Sequence, residues 1–194
     1  MKNPALIFLS AFLVNNIVLM RFLGLCPFFG VSTAVETATG MGMAVIFVMT
    51  LAAWITWIIF HGILLPLNLV FLRTATFILT IASLVQLVEM FLKRYYRALY
   101  SAMGIYLPLI TTNCAILGIT FLNIDNNFSF LNGTVFAIGT GLGFSVVIIT
   151  FAAIRERLDT APINPSLKGY PVSFIAAALM ALAFLGFSGL FGLT

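Results

Sequence analysis

The chain has 194 residues, of which 62% are hydrophobic and only 7% charged, with a mean hydropathy of +1.19. So few charges cannot cover a water-facing surface, so the bilayer is the solvent for most of the chain and the expected fold class is an all-α integral membrane protein. The net charge of +4, from 9 basic and 5 acidic residues, falls mostly between apolar runs and forms no basic face, which excludes nucleic acid as a partner and leaves membrane lipid.

Apolar runs long enough for a hydrocarbon core of about 30 Å fall at 4–22, 39–60, 72–92, 99–121, 131–154 and 171–192. Six transmembrane helices are therefore expected. The first run follows Met1-Lys2 in the manner of a signal peptide. It continues past Asn15 and Asn16 to Arg21 with no small-residue cleavage site, so it is read as a retained span.

After it, Gly24, Pro27 and Gly30 interrupt a segment, Leu23 to Ser32, that carries no charge. The fourth run is interrupted in the same way at Pro108, followed by Thr111-Thr112-Asn113 before Cys114. Proline removes a backbone donor and the Thr-Thr-Asn oxygens can cap a restarting helix. Two half-helices at the midplane are predicted, one beginning near Cys26 with Pro27 at its first helical position, the other near Cys114, each aiming free N–H groups at sulfur. The alternative is that both prolines only kink their helices.

The two interruptions are related. Cys26-Pro-Phe-Phe-Gly30-Val-Ser32 recurs as Cys114-Ala-Ile-Leu-Gly118-Ile-Thr120, 88 residues later, and these are the only two cysteines. Thr50-Leu-Ala-Ala53 is echoed by Thr150-Phe-Ala-Ala153 at an offset of 100, which places about 12 extra residues of the second half around Asn123–Asn127 and Asn132-Gly133. A single membrane domain, 1–194, is thus expected to contain two three-helix repeats, 1–92 and 93–194. An odd number of spans per repeat makes them inverted.

Arg21, Lys93, Arg94, Arg97, Arg155, Arg157 and Lys168 lie at odd-numbered connections, against Lys2 and Arg73 on the other side. Seven against two predicts the odd connections in the cytoplasm and both termini outside. Trp54, Trp57 and His61 read as an interfacial belt, Glu89 as a helix partner of Lys93 or a membrane-embedded acid, and Arg155-Glu156-Arg157 as a solvated helix end. Asn15 and Asn16 need internal partners in lipid, for which the unwound backbone near either cysteine is a candidate. Gly40-x-Gly42, Gly139-x-Gly141-x-Gly143 and Gly186/Gly189 read as close helix contacts.

Two thiolates do not fill the coordination sphere of zinc or of an iron–sulfur cluster, both of which usually take four protein ligands. A metal site at Cys26 and Cys114 would need ligands from another chain. The simplest completion is a second membrane subunit with its own cysteine pair and a shared [2Fe–2S] cluster; ordinary buried thiols are the alternative. No nucleophile–His–acid set, H-E-x-x-H or C-x-x-C is present, so no complete active site is expected in this chain alone.

Leu13-Val-Asn-Asn16, Arg21-Phe-Leu-Gly-Leu-Cys-Pro-Phe28, Leu107-Pro-Leu-Ile-Thr-Thr-Asn-Cys-Ala115 and Phe151-Ala-Ala-Ile-Arg-Glu-Arg-Leu158 resemble the A subunits of the Rnf (Rsx) electron transport complex. The E subunit of the sodium-pumping NADH:quinone reductase is similar too, with the same cysteine segments. The resemblance implies six spans as an inverted repeat in the bacterial inner (cytoplasmic) membrane, with both termini on the periplasmic side. It further implies pairing with the homologous Rnf E subunit, in company with the B, C, D and G subunits, and a [2Fe–2S] cluster shared through Cys26 and Cys114. The complex it points to is a translocase that passes electrons between ferredoxin and NAD and moves Na+ or H+. Gly24, Leu25, Pro27 and Phe28 in one half, and Thr112, Asn113 and Ala115 in the other, are the expected cofactor surroundings, with nearby backbone amides tuning the potential by hydrogen bonds to sulfur. A secondary transporter is the rival reading, with Asn15, Asn16, Thr111, Thr112 and Asn113 binding an ion or substrate at the broken helices.

Overall fold

In the computed structural model, residues 3–95, 113–162 and 168–186 are described. Among them every regular element is helical: α1 (Pro4–Leu9), α2 (Leu25–Val31), α3 (Val35–Ile59), α4 (Arg73–Tyr95), α5 (Cys114–Asp125), α6 (Phe130–Thr160) and α7 (Tyr170–Leu185). Three stretches, Val35–Leu64, Val70–Met90 and Phe130–Thr160, are long and apolar enough to cross a membrane; Pro4–Val14, α5 and α7 are shorter apolar helices. Pro108, Thr111, Thr112 and Gly189 fall outside the described residues, as does the Lys93 side chain that would pair with Glu89, while the expected repeat boundary at 92/93 falls within α4.

α3 and α6 form the most extensive helix pair and the centre of the core. They run antiparallel. The start of α3 meets the end of α6 where Glu156 Oε1 accepts from Val35 N–H at 2.9 Å, and its other end meets the start of α6 where Trp54 Nε1 donates to Thr134 Oγ1 at 2.9 Å. Small residues permit the approach: a Cβ on Gly42 would lie 2.7 Å from Ser145 Oγ, and one on Gly141 3.0 Å from Ile46. These two contacts are reciprocal, since a shift of 99 residues turns 42 into 141 and 46 into 145. Thr50 and Thr150 make matching bonds to the carbonyls of Ile46 and Val146, at 2.8 and 2.7 Å.

The first span is not the continuous helix expected over 4–22. α1 passes into a wide turn, Ser10–Val14, closed by Asn15 N–H to the Ser10 carbonyl at 2.7 Å, and the chain then unwinds to Gly24. Asn16 is the cause. Its Oδ1 accepts from Val18 N–H at 3.1 Å, a local bond that competes with helix, while its Nδ2 donates to the Gly143 carbonyl of α6 at 3.0 Å. Asn15 donates to Ser10 Oγ at 3.1 Å. Both amides therefore find partners, but not at the cysteine segments. The glycines of α6 divide their work: Gly139 and Gly143 receive Phe8 and Phe12 of the first span, while Gly141 faces α3.

The early break also relocates Arg21. Instead of joining the charges at the Arg155 end, it lines a cavity of about 250 Å³ with Ser10, Asn15 and Thr140, together with Leu122 and Asn126 near the end of α5. At that end Arg73 pairs with Asp125 at 2.7 Å and lies over the Phe121 ring, and Trp57, stacked on His61, donates to the Phe128 carbonyl. The expected extra residues of the second half lengthen both helices there. α5 has 12 residues against 7 in α2, and α6 starts 11 residues before Gly141 where α3 starts 7 before Gly42.

Candidate metal centre

Gly24 opens the site. It caps α2 with a φ of +85°, a left-handed conformation that disfavours any residue with a Cβ. That turn directs its N–H to Cys114 Sγ, 2.9 Å away and 90 residues on. Space demands glycine as well, because a Cβ would lie 3.1 Å from both Ala115 Cβ and Phe144 Cε2. α2 then starts at Leu25, so Pro27 stands third in the helix and not first as expected; proline is still tolerated there because first-turn N–H groups have no intrahelical acceptor.

Asn113 opens α5. Its Oδ1 accepts from Ala115 N–H at 3.0 Å, and Cys114 is the first helical residue. Leu23 packs on Gly118, where a Cβ would sit 2.7 Å from its Cδ1. The starts of α2 and α5 thus meet around Cys114 Sγ, and the helices leave toward opposite ends of the molecule. α2 ends where Arg155 donates to the Phe29 carbonyl and to Ser32 Oγ, both at 2.9 Å, whereas α5 ends at the Arg73–Asp125 pair. Half-buried Arg155 is therefore not the solvated residue expected; it satisfies the Phe29 carbonyl, which the end of a short helix leaves open, and the Ser32 hydroxyl.

The cysteines differ in setting. Cys26 is exposed on the outer face of α2 and Cys114 is half-buried. Phe28, fully buried, stacks on Phe151 at 4.2 Å and anchors α2 to α6, with Pro27 buried beside it and Leu25 packed against the core. Not all of the expected amides are free. Pro27 has none, Phe28 N–H bonds the Gly24 carbonyl at 3.2 Å, and Ala115 N–H is engaged by Asn113. Thr112 lies outside the described residues. An apolar groove of about 170 Å³ lies on the α2 side, between Leu25, Phe28 and Phe29 and the Phe174 and Ala177 side chains of α7.

Chemically, the chain offers two sulfurs, one open to the exterior, with an N–H already on the other. Among the described residues no group of three or more His, Cys, Asp or Glu could hold a metal ion. The donor set therefore fits half of a four-thiolate site and not a complete one. Arg155 and Glu156, read from the sequence as part of a solvated helix end, instead clamp the turn between α2 and α3, a role the sequence reading missed. The available signal was their position directly after the apolar run that follows the second cysteine segment.

The profile of a family described as "Rnf-Nqr subunit, membrane protein" matches residues 5–191. The chain is 55% identical over 184 residues to a protein of Acetobacterium woodii named as the A subunit of a Na(+)-translocating ferredoxin:NAD(+) oxidoreductase complex, covering 95% of this chain and 96% of that one. Proteins named as the A subunit of an ion-translocating oxidoreductase complex are 53% identical in Syntrophotalea carbinolica and 52% identical in Escherichia coli, each over 190 residues and 98% of both chains. With this match along nearly its whole length, the chain belongs to the Rnf–Nqr family of membrane subunits and is a multi-pass membrane protein.

Proposed function

We propose that this chain is the electron-conducting membrane subunit of an Rnf-type ion-translocating ferredoxin:NAD oxidoreductase complex in the bacterial inner membrane. Cys26 and Cys114 ligate half of a [2Fe–2S] cluster, and the homologous E subunit supplies the other two thiolates. The observation that carries this reading is the hydrogen bond from Gly24 N–H to Cys114 Sγ, because it joins the two cysteine segments at one sulfur. Exposed Cys26 leaves room for a partner's ligands beside it.

When bound, the cluster supplies a one-electron carrier within the bilayer. The residues of this chain do the rest. The Gly24 amide stabilises negative charge on sulfur, Phe28, Phe144 and Phe151 keep water from the inner side, and Arg155 fixes the far end of α2. Inverted halves, 1–92 and 93–194, are supported by the reciprocal α3–α6 contacts. Membership with the B, C, D and G subunits, and coupling to Na+ or H+ movement, rest on the resemblance and on the names of the relatives.

The test is Cys26→Ser and Cys114→Ser in the purified complex. Each is expected to remove the EPR signal and visible absorbance of one [2Fe–2S] cluster, with a matching loss of iron and acid-labile sulfide. Unchanged spectra in both variants would overturn the assignment.

A further inference from the structure

Asn113 carries an unused hydrogen-bond donor. Its side chain is 3% exposed, and its Nδ2 is buried with no partner among the described residues. For most asparagines the oxygen and nitrogen are interchangeable by a flip, but here they are not. Oδ1 accepts from Ala115 N–H at 3.0 Å, a bond that the NH2 group could not make, so Nδ2 is the end left over. A buried NH2 without an acceptor is costly and calls for a further group at the site.

The surroundings narrow what that group is. Asn113 precedes Cys114, and its Oδ1 lies 3.4 Å from where a Gly24 Cβ would be, while Gly24 N–H bonds Cys114 Sγ. The amide thus shares one seam with the sulfur. Among the described residues, the other side chains that meet Gly24 at this seam, Ala115 and Phe144, offer no acceptor. Resting on the cluster reading above, we infer that Asn113 Nδ2 donates a hydrogen bond to sulfur of the shared centre, thiolate or inorganic sulfide, and so raises its reduction potential. Donation to sulfur favours the reduced form because that form carries the extra negative charge. Asn113 is then a positioning residue with two jobs, capping α5 with its oxygen and tuning the centre with its nitrogen.

Two substitutions separate the jobs, since Ser and Asp keep a capping oxygen while removing the NH2 group. In the intact complex, a redox titration of the cluster EPR signal should show Asn113→Ser shifting the oxidised-to-reduced ratio at fixed ambient potential about tenfold toward the oxidised form, about 59 mV for one electron. Asn113→Asp should shift it further in the same direction, and in both variants iron and sulfide should stay at wild-type levels. An unchanged midpoint in both variants would overturn the inference, as would a fall in cluster content with no change in the potential of what remains. Failure of the parent reading looks different: Cys114→Ser would then keep the signal.

Discussion

Gly24 meets two independent demands, and each gives a magnitude. A side chain in its left-handed conformation costs about 1–2 kcal/mol, and the added Cβ would press on Ala115 and Phe144, which have little room to yield. Gly24→Ala is therefore expected to lower the thermal midpoint of the detergent-purified complex and to reduce its cluster content, because the amide that reaches Cys114 moves with the turn. Gly62 provides the control. Nothing lies within 4 Å of its added Cβ and its φ is not positive, so Gly62→Ala should leave the midpoint unchanged or raise it slightly. A drop of equal size in both variants would show that the seam around Gly24 is not special. The sequence marked Gly24 as an interruption, but its conformation and its partner depend on a residue 90 positions away.

At the scale of elements, the short α2 is held by what lies at its two ends. Arg155 bridges the Phe29 carbonyl and Ser32 Oγ, so Arg155→Leu leaves those acceptors unpaired at a helix end, with an expected loss of about 1–3 kcal/mol. Glu156→Gln keeps an oxygen for Val35 N–H and should change stability by less than about 1 kcal/mol. Thermal melts of the two variants check the difference, and equal effects would mean that the clamp is not specific. The glycine ladder of α6 makes a sharper prediction. A Cβ at Gly143 would sit 2.8 Å from the Phe12 carbonyl, which is backbone and cannot rotate away. Gly143→Ala is thus expected to lose about 1–3 kcal/mol, measurable as a lower yield and melting midpoint of the assembled complex. Hydropathy placed the runs at 39–60, 72–92 and 131–154 on α3, α4 and α6, since long apolar runs need no partner to be recognised. It failed at Asn15–Asn16, where one side-chain amide bonding its own turn unwound a span that hydropathy alone would continue.

For the whole molecule, the antiparallel α3–α6 pair separates two ends, one carrying Arg155 and Glu156 beside the turn at Thr33, the other carrying Arg73 and Asp125 beside Asn127. Single cysteines at Thr33 and Asn127, both exposed positions, should react with a membrane-impermeant thiol reagent from opposite sides, Thr33→Cys from the cytoplasm and Asn127→Cys from the periplasm. Labelling from the same side would contradict the arrangement of the helices. Labelling from reversed sides would instead contradict the orientation drawn from charge.

The sequence by itself determined the solvent, the helical class, the family and the pair of thiols worth watching, because hydropathy, residue type and motif spacing are properties of the chain read locally. Only the tertiary structure decided that Cys114 receives the Gly24 amide, that Asn16 reaches Gly143, that Arg155 closes α2, and that the Asn113 nitrogen is left without an acceptor among the described residues. The Gly24 amide and the Phe29 carbonyl are backbone groups left open at helix ends, and Asn16 and Asn113 are side chains standing where a helix is interrupted or begins; which distant residue meets each is set by how α2, α5 and α6 pack and not by any pattern along the chain.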